Sequence, residues 1–134
     1  MSRIRSRDTR PEMSVRSGLH RRGLRFRLRD KRLPGSPDLV LKRLATVVFV
    51  HGCFWHSHRK CRQGKLPKSN KPYWSRKLAR NVQRDQETTR RLRKLGWRVI
   101  VVWECRLLPK SRCDRTLDRL AREIRQGETR EKRY

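Results

Sequence analysis

The fold is decided by the stretch TVVFVHGCFWHSHRKC, which occupies residues 46–61. Its first part, residues 46–50, is an unbroken β-branched and apolar run, typical of a central strand that is buried on both faces. Its second part, residues 51–61, holds two Cys and three His within eleven residues, a composition that does not suit an apolar core. The sequence therefore predicts a buried strand that leads directly into a metal-binding or reactive loop.

Further strands are predicted on both sides of this stretch. The run RVIVVW at residues 98–103 predicts a second buried strand. Alternating Arg and apolar residues at 25–29 indicate a strand with one solvated face. After a turn at LPGSP (33–37), residues 38–41 predict a short strand that reverses at Lys42-Arg43 and pairs with residues 46–50. These strands predict a small mixed β-sheet.

Three helices are predicted around this sheet. The first begins at the capping box Thr9–Glu12 and ends at Gly23, and the second begins near Asn70 and ends at Gly96. The third precedes a charged tail at 126–134, which is expected to fray. The positions expected to face the core are Met13, Leu19, Leu24, Leu78, Val82, Leu92, Leu95, Leu117, Leu120 and Ile124, with Trp97 and Trp103 beside the last strand.

The order α-β-β-β-α-β-α predicts one α/β domain over residues 1–134, in which residues 1–8 form a basic arm. The 39 Lys and Arg against 12 Asp and Glu give a net charge of +27 and a pI near 11.7, which indicate a polyanionic partner, with nucleic acid favoured. No apolar run approaches the roughly 18 residues of a membrane span, and no signal-peptide pattern follows the N-terminus. We therefore expect a soluble, cytoplasmic protein.

The Cys- and His-rich loop predicts a structural zinc site. Zinc takes about four Cys or His ligands, and a charge-rich domain of this size gains folding energy from a metal. Spacing selects Cys53, His58 and Cys61, and Cys105 at the end of the second buried strand completes the set. The alternative is a pair of free thiols with exposed histidines. The remaining Cys113 is expected to be an ordinary exposed or helix-packed thiol.

A magnesium site is predicted at one end of the sheet. Asp38 opens one strand and Val50-His51 closes its neighbour, so the Asp38 carboxylate and a backbone carbonyl should lie side by side. Such hard oxygen ligands suit Mg²⁺, and a nearby imidazole could activate water for phosphodiester hydrolysis. The alternative is that Asp38, which follows a Pro, only caps a turn.

Five motifs resemble the very short patch repair (Vsr) endonucleases, bacterial enzymes that nick DNA at T·G mismatches left by deamination of 5-methylcytosine. The motifs run in order through nearly the whole chain. They are RDTRPE (7–12), LPGSPDLV (33–40), FVHGCFWH (49–56), NVQRD (81–85) and LGWRVIVVWEC (95–105). The resemblance implies a restriction-endonuclease-like fold in which a Phe-x-His strand motif replaces the usual Glu-x-Lys.

The resemblance also implies site roles. Asp38 is the Mg²⁺-binding carboxylate, Val50 contributes its main-chain carbonyl, His56 is the catalytic histidine, His51 is a second active-site histidine, and Glu12 is a supporting acid. The zinc ligands implied are Cys53, His58, Cys61 and Cys105, the same set that spacing selects. Two residues separate His58 from Cys61 where a family member has one, so the local loop must differ.

For DNA binding, the resemblance implies that Phe54 and Trp55 wedge into the duplex, with Trp74 as a third aromatic and Met1 aligned with an inserted methionine. Packing of these rings in the core or against the zinc loop is the alternative. Phosphate contacts are expected from basic residues in the arm, the loop and the long helix: Arg3, Arg5, Arg7, Lys65, Lys68, Lys71, Arg76, Lys77 and Arg80.

Together these features predict a monomeric Mg²⁺-dependent nickase for DNA with a T·G mismatch, stabilised by zinc and in contact with other mismatch-repair proteins. Two alternatives stay open. One is a nuclease of the same fold with another DNA target. The other is a noncatalytic zinc-stabilised nucleic-acid-binding module, which would have no need of Asp38.

Overall fold

The computed structural model describes residues 10–53 and 69–132, with side chains described as far as Gln126. The predicted order of elements is confirmed in this part of the chain. The elements are α1 (Arg10–Arg21), β1 (Arg27–Leu28), β2 (Leu39–Leu41), β3 (Thr46–His51), α2 (Lys71–Lys94), β4 (Arg98–Trp103) and α3 (Lys110–Lys132), with 3-10 turns at Lys42–Leu44 and Glu104–Leu107.

The four strands form one mixed sheet in the order β1-β2-β3-β4. β2 is antiparallel to β1 and to β3, with Leu39 opposite Val48. β3 and β4 are parallel, with His51 opposite Trp103 at their carboxyl ends. The connection between the two parallel strands contains α2, as a parallel pair requires. The beginning of β2 and the ends of β3 and β4 therefore lie at the same edge of the sheet.

Helices cover both faces of the sheet. α1 and α3 cover one face, where Leu19 and Ile124 pack with Val48. α2 covers the other face, where Leu92 packs with Val47 and Phe49. Apolar residues of β3 thus contribute to two cores, and this confirms the prediction of a central strand buried on both faces.

Several positions expected in the core are more exposed than predicted. Met13 is 49% exposed, because α1 turns Val15, Gly18 and Leu19 inwards. Leu95 is 62% exposed, because it lies past the end of α2. β4 is only half covered: buried and half-buried residues alternate, and Trp103 is half-buried. These predictions were wrong because a helical or β-branched pattern does not reveal how far a covering helix extends.

The boundaries of two helices also differ from the expectation. α3 remains helical to Lys132, past the residue 126 at which a tail was expected. Asn70 adopts a left-handed conformation with φ of 56° before α2, and within the described part of the chain its side chain makes no capping hydrogen bond. Gly23 and Gly96 follow α1 and α2 with positive φ, as predicted for residues that end helices.

The turn before β2 packs tightly against α2. Gly35 in this turn has φ of +74°, and a Cβ atom at this position would clash with Cγ2 of Thr88. Only glycine satisfies both the backbone conformation and the close approach. This contact fixes the position of the chain three residues before Asp38.

Among the described residues, none of the helices is sufficiently long and apolar for a membrane crossing.

Candidate active site

Asp38 is held at the edge where β2 begins and β3 ends. The backbone N–H of Val50 donates to Oδ2 of Asp38 over 2.6 Å. Asp38 immediately precedes Leu39, whose partner in the ladder is Val48, so Asp38 lies opposite Phe49 and its carboxylate reaches the N–H of the next residue of β3. The carboxylate that the sequence predicts beside Val50 therefore lies next to it.

The carbonyl of Val50 faces the same side of the strand as its N–H. In an antiparallel pair, both backbone polar groups of one residue point towards the same neighbour. Because the Val50 N–H points at Asp38, the Val50 carbonyl lies on the β2 side of β3. A carboxylate and a backbone carbonyl are thus available at one sheet edge.

Glu12 brings a second carboxylate from α1. Its side chain is buried, with the residue 3% exposed, and two guanidinium groups contact it. Nη2 of Arg29 lies 2.7 Å from Oε2 of Glu12, and Nη2 of Arg16 lies 3.2 Å from the same oxygen. A buried carboxylate requires such partners to remain charged. The sequence identifies Glu12 through the family resemblance, but it does not reveal the two arginines.

The two carboxylates influence each other. The pKa of Asp38 is raised from 3.8 to about 6, first by burial and then by the negative charge and hydrogen bonding of Glu12. The Val50 N–H and the positive charge of Arg29 act in the opposite direction. A buried and a half-buried carboxylate placed together in this way favour a bound cation, because a cation reduces their repulsion.

His51 follows Val50 and lies on the α2 face of the sheet. Its ring is buried, with its centroid 5.7 Å from that of Phe49 and 5.3 Å from that of Trp103. It also lines a groove of about 750 Å³ between α2 and β4, together with Val82, Asp85 and Trp103 among others. The structure therefore places His51 one residue from the contact made by Asp38 and in the lining of this groove.

Cys53 and Cys105 lie just beyond the carboxyl ends of the parallel strands. Each is two residues past the paired residues His51 and Trp103. The Cys53 N–H donates to Oε1 of Glu104 over 3.3 Å, which ties the two chain segments together. Cys105 lies in a 3-10 turn rather than in the strand, a small correction to its predicted place.

This arrangement fits two of the four predicted zinc ligands, since thiolates from neighbouring strand ends can share one ion. The other two, His58 and Cys61, lie outside the described residues. Within the described ranges, no group of three or more His, Cys, Asp and Glu side chains is arranged to hold a metal. Cys113 is half-buried on α3 and packs against the core, as expected for a helix-packed thiol, and burial raises its pKa.

An aromatic and basic cluster occupies the first turns of α2. The Tyr73 and Trp74 rings lie 5.2 Å apart, and the Lys77 ammonium is 5.9 Å and 5.8 Å from their centroids. Trp74 is half-buried and belongs to neither apolar core. Tyr73 is 44% exposed and was missed by the sequence analysis, although its place beside Trp74 in the first turn is a readable signal.

The exposed basic side chains on the same helix include Lys71, Arg76, Lys77 and Arg80. The remaining predicted site residues lie outside the described part of the chain. They are Met1, Arg3, Arg5, Arg7, Phe54, Trp55, His56, His58, Cys61, Lys65 and Lys68.

Comparisons with known proteins identify the family. The family model described as DNA mismatch endonuclease Vsr matches residues 1–63. The type II nicking enzyme V.NmeAIP of Neisseria meningitidis is 48% identical over 125 residues, which cover 93% of this chain and 89% of the relative. The type II nicking enzyme V.XorIIP of Xanthomonas oryzae is 55% identical over 107 residues, 80% of this chain and 78% of the relative.

The DNA mismatch endonuclease Vsr of Escherichia coli K12 is 46% identical over 107 residues, which cover 80% of this chain and 68% of the relative. Identity at this level over most of both chains establishes common descent and a common catalytic class. The chain therefore belongs to the Vsr family of DNA mismatch endonucleases and is itself a DNA endonuclease.

Proposed function

We propose that this endonuclease nicks one strand of DNA beside a T·G mismatch by Mg²⁺-dependent hydrolysis. The observation that carries the proposal is the 2.6 Å hydrogen bond between Val50 and Asp38, with Glu12 beside it at the same sheet edge. A structural turn residue would have no reason to share its surroundings with a second, buried carboxylate. The relatives named for mismatch endonuclease and nicking activity support both the substrate and the single-strand cut.

The oxygens at this edge suit Mg²⁺. The Asp38 carboxylate and the Val50 carbonyl would hold the ion directly, and Glu12 would add negative charge from α1. Mg²⁺ accepts one or two carboxylates and completes its shell with water and substrate oxygens. When bound, it would neutralise developing charge on the phosphate and acidify water. Arg29 balances the charge of Glu12 and so limits the repulsion between the two acids.

The histidines would handle protons. We assign His56 as the residue that takes a proton from the attacking water and His51, at the end of β3, as a second active-site histidine, since imidazole titrates near neutral pH. The contacts of His51 with Phe49 and Trp103 restrict its ring. A ring fixed in this way keeps a constant orientation towards a substrate at the sheet edge.

Recognition of the mismatch would depend on aromatic wedges. We propose that Phe54 and Trp55 insert between base pairs and that Trp74 stacks at the edge of the opened site. Unstacking costs a few kcal/mol per base step and least at a defective pair, so wedging favours the mismatch. The exposed basic residues of α2 would contact phosphates. We further propose that Cys53, His58, Cys61 and Cys105 bind zinc, which would hold the segment that carries Phe54 and Trp55. We also propose that the enzyme acts as a monomer.

A nicking assay tests the proposal. Wild type, Asp38→Asn and the control Asp30→Asn are compared on T·G and matched duplexes labelled on each strand, with Mg²⁺. Asp30 is a suitable control because its carboxylate accepts hydrogen bonds from Arg32, two residues along the chain. We expect wild type and Asp30→Asn to cut only one strand of the T·G duplex, and Asp38→Asn to be slower by at least a hundredfold.

DNA affinity should be unchanged or higher in Asp38→Asn, because the substitution removes a negative charge. Equal cutting by wild type and Asp38→Asn would contradict the assigned chemistry. Preferential cutting of a different mismatch by wild type would instead support the alternative of another DNA target.

A further inference from the structure

The acids of the proposed cation site come from different elements, and one arginine contacts both residues. The backbone N–H of Arg29 donates to the carbonyl oxygen of Asp38 over 3.3 Å. The guanidinium of Arg29 reaches Oε2 of Glu12 on α1 over 2.7 Å. The two contacts of Arg29 thus link the residue before β2 to the first turn of α1.

Arg29 holds an uncommon backbone conformation to make both contacts. Its φ is 43°, in the left-handed region that residues other than glycine enter at a cost. This conformation lies directly after β1, where the chain leaves the sheet. The surrounding contacts therefore keep Arg29 in this conformation against its intrinsic preference.

The burial of Arg29 argues against a role as a surface contact. Its side chain is 18% exposed, and that of Arg16 is 15% exposed. Surface residues that bind phosphates need accessible guanidinium groups, as Arg76 and Arg80 have on α2. Arg16 approaches the same oxygen of Glu12, so two guanidinium groups restrain one carboxylate oxygen.

We infer that Arg29 is the positioning residue of the cation site: it fixes Glu12 beside Asp38, so that both carboxylates serve one ion. The inference rests on the function proposed above. Both guanidinium groups bond Oε2 of Glu12. Together they define the rotamer of the Glu12 side chain, and with it the position of the other oxygen, Oε1. The positive charge of Arg29 also reduces the repulsion between the Asp38 and Glu12 carboxylates before the ion binds. Arg16 is a weaker second restraint, because its contact is longer.

The test compares Arg29→Met with Arg29→Lys, Arg16→Met and the control Arg27→Met. Arg27 is an exposed neighbour on β1, and the described bonds to Glu12 and to the Asp38 carbonyl come from Arg16 and Arg29 instead. The first readout is the Mg²⁺ concentration that gives half-maximal nicking, with the DNA KM measured in parallel. The second is Mn²⁺ affinity of the complex with nicked product duplex, measured by calorimetry without turnover.

We expect Arg29→Met to raise half-maximal Mg²⁺ at least tenfold and to weaken Mn²⁺ binding at least fivefold, with the DNA KM changed less than twofold. Arg29→Lys should recover at least half of each loss on a logarithmic scale, and Arg27→Met should match wild type. If Arg29→Met does not fold, Arg16→Met provides the test, with an expected threefold rise in half-maximal Mg²⁺.

An unchanged Mg²⁺ requirement with a raised DNA KM would overturn the inference and make Arg29 a phosphate contact. The inference would also be overturned if Arg29→Met left half-maximal Mg²⁺, the DNA KM and Mn²⁺ affinity unchanged. It would be overturned as well if the wild-type complex did not bind Mn²⁺. Failure of the proposed function is a separate result, because Asp38→Asn would then nick as fast as wild type.

Discussion

Asp38 should lower the stability of the fold at neutral pH, and Asp38→Asn should remove this penalty. Burial and Glu12 raise the pKa of Asp38 from 3.8 to about 6. Below pH 3.8 the carboxyl is protonated in both the folded and the unfolded chain and has no effect. Between pH 3.8 and 6 the unfolded chain ionises first, so unfolding becomes easier as the pH rises, and above pH 6 the loss is constant.

The size of the effect follows from the shift. A shift of about two pKa units corresponds to about 3 kcal/mol at roughly 1.4 kcal/mol per unit. Because Asp38 is partly solvated, we expect about 1–3 kcal/mol in the free energy of unfolding. Asparagine keeps an oxygen to accept the Val50 N–H and removes the repulsion from Glu12. With a denaturant slope of about 1–3 kcal/mol/M, the urea midpoint should rise by roughly 1 M at pH 7.5.

Urea unfolding of wild type and Asp38→Asn from pH 4 to pH 8, with zinc present and Mg²⁺ omitted, measures this difference. The stability difference between Asp38→Asn and wild type should increase from pH 4 to pH 6 and stay constant above pH 6. Asp30→Asn is the control of opposite sign, because hydrogen bonds from Arg32 lower the pKa of Asp30, so its neutralisation should not stabilise. An Asp38→Asn protein less stable than wild type at pH 7.5, or a difference independent of pH, would show that the Asp38 carboxylate does not destabilise the fold.

Three further predictions concern the parts that support the site. Gly35→Ala should destabilise the fold by about 1–3 kcal/mol more than Gly96→Ala in urea unfolding, since both glycines have positive φ but only Gly35 meets Thr88; equal losses would contradict the contact. Cys53→Ser and Cys105→Ser should lower zinc content by elemental analysis together with the melting temperature, while Cys113→Ser keeps its zinc; full zinc content in the first two would exclude them as ligands. Phe54→Ala combined with Trp55→Ala should reduce the ratio of T·G to matched-duplex affinity by at least fivefold in binding titrations, whereas an equal loss on both duplexes would argue against wedging.

The sequence predicts most of the fold because its signals are local. The β-branched runs of β3 and β4, the turn at 33–37 and the glycines after α1 and α2 all act within a few residues. The predictions that were wrong depend on distant packing. Met13 and Leu95 have the right periodicity but lie where none of the described elements covers them.

The candidate site also has one contact that the sequence predicts and one that it does not. Asp38 beside Val50 follows from strand pairing across a tight turn, which sequence spacing can indicate. The link from Arg29 to Glu12 spans 17 residues and needs a left-handed arginine, for which no sequence pattern exists. Charge composition cannot identify it either, because Arg29 is one of 39 basic residues.

The most direct test of the cation site is anomalous diffraction from crystals of the enzyme with T·G duplex and Mn²⁺. We expect one ion bound by the Asp38 carboxylate and the Val50 carbonyl oxygen, within direct coordination distance of each. An ion bound elsewhere in an enzyme that nicks the duplex, or none at this edge, would contradict this expectation.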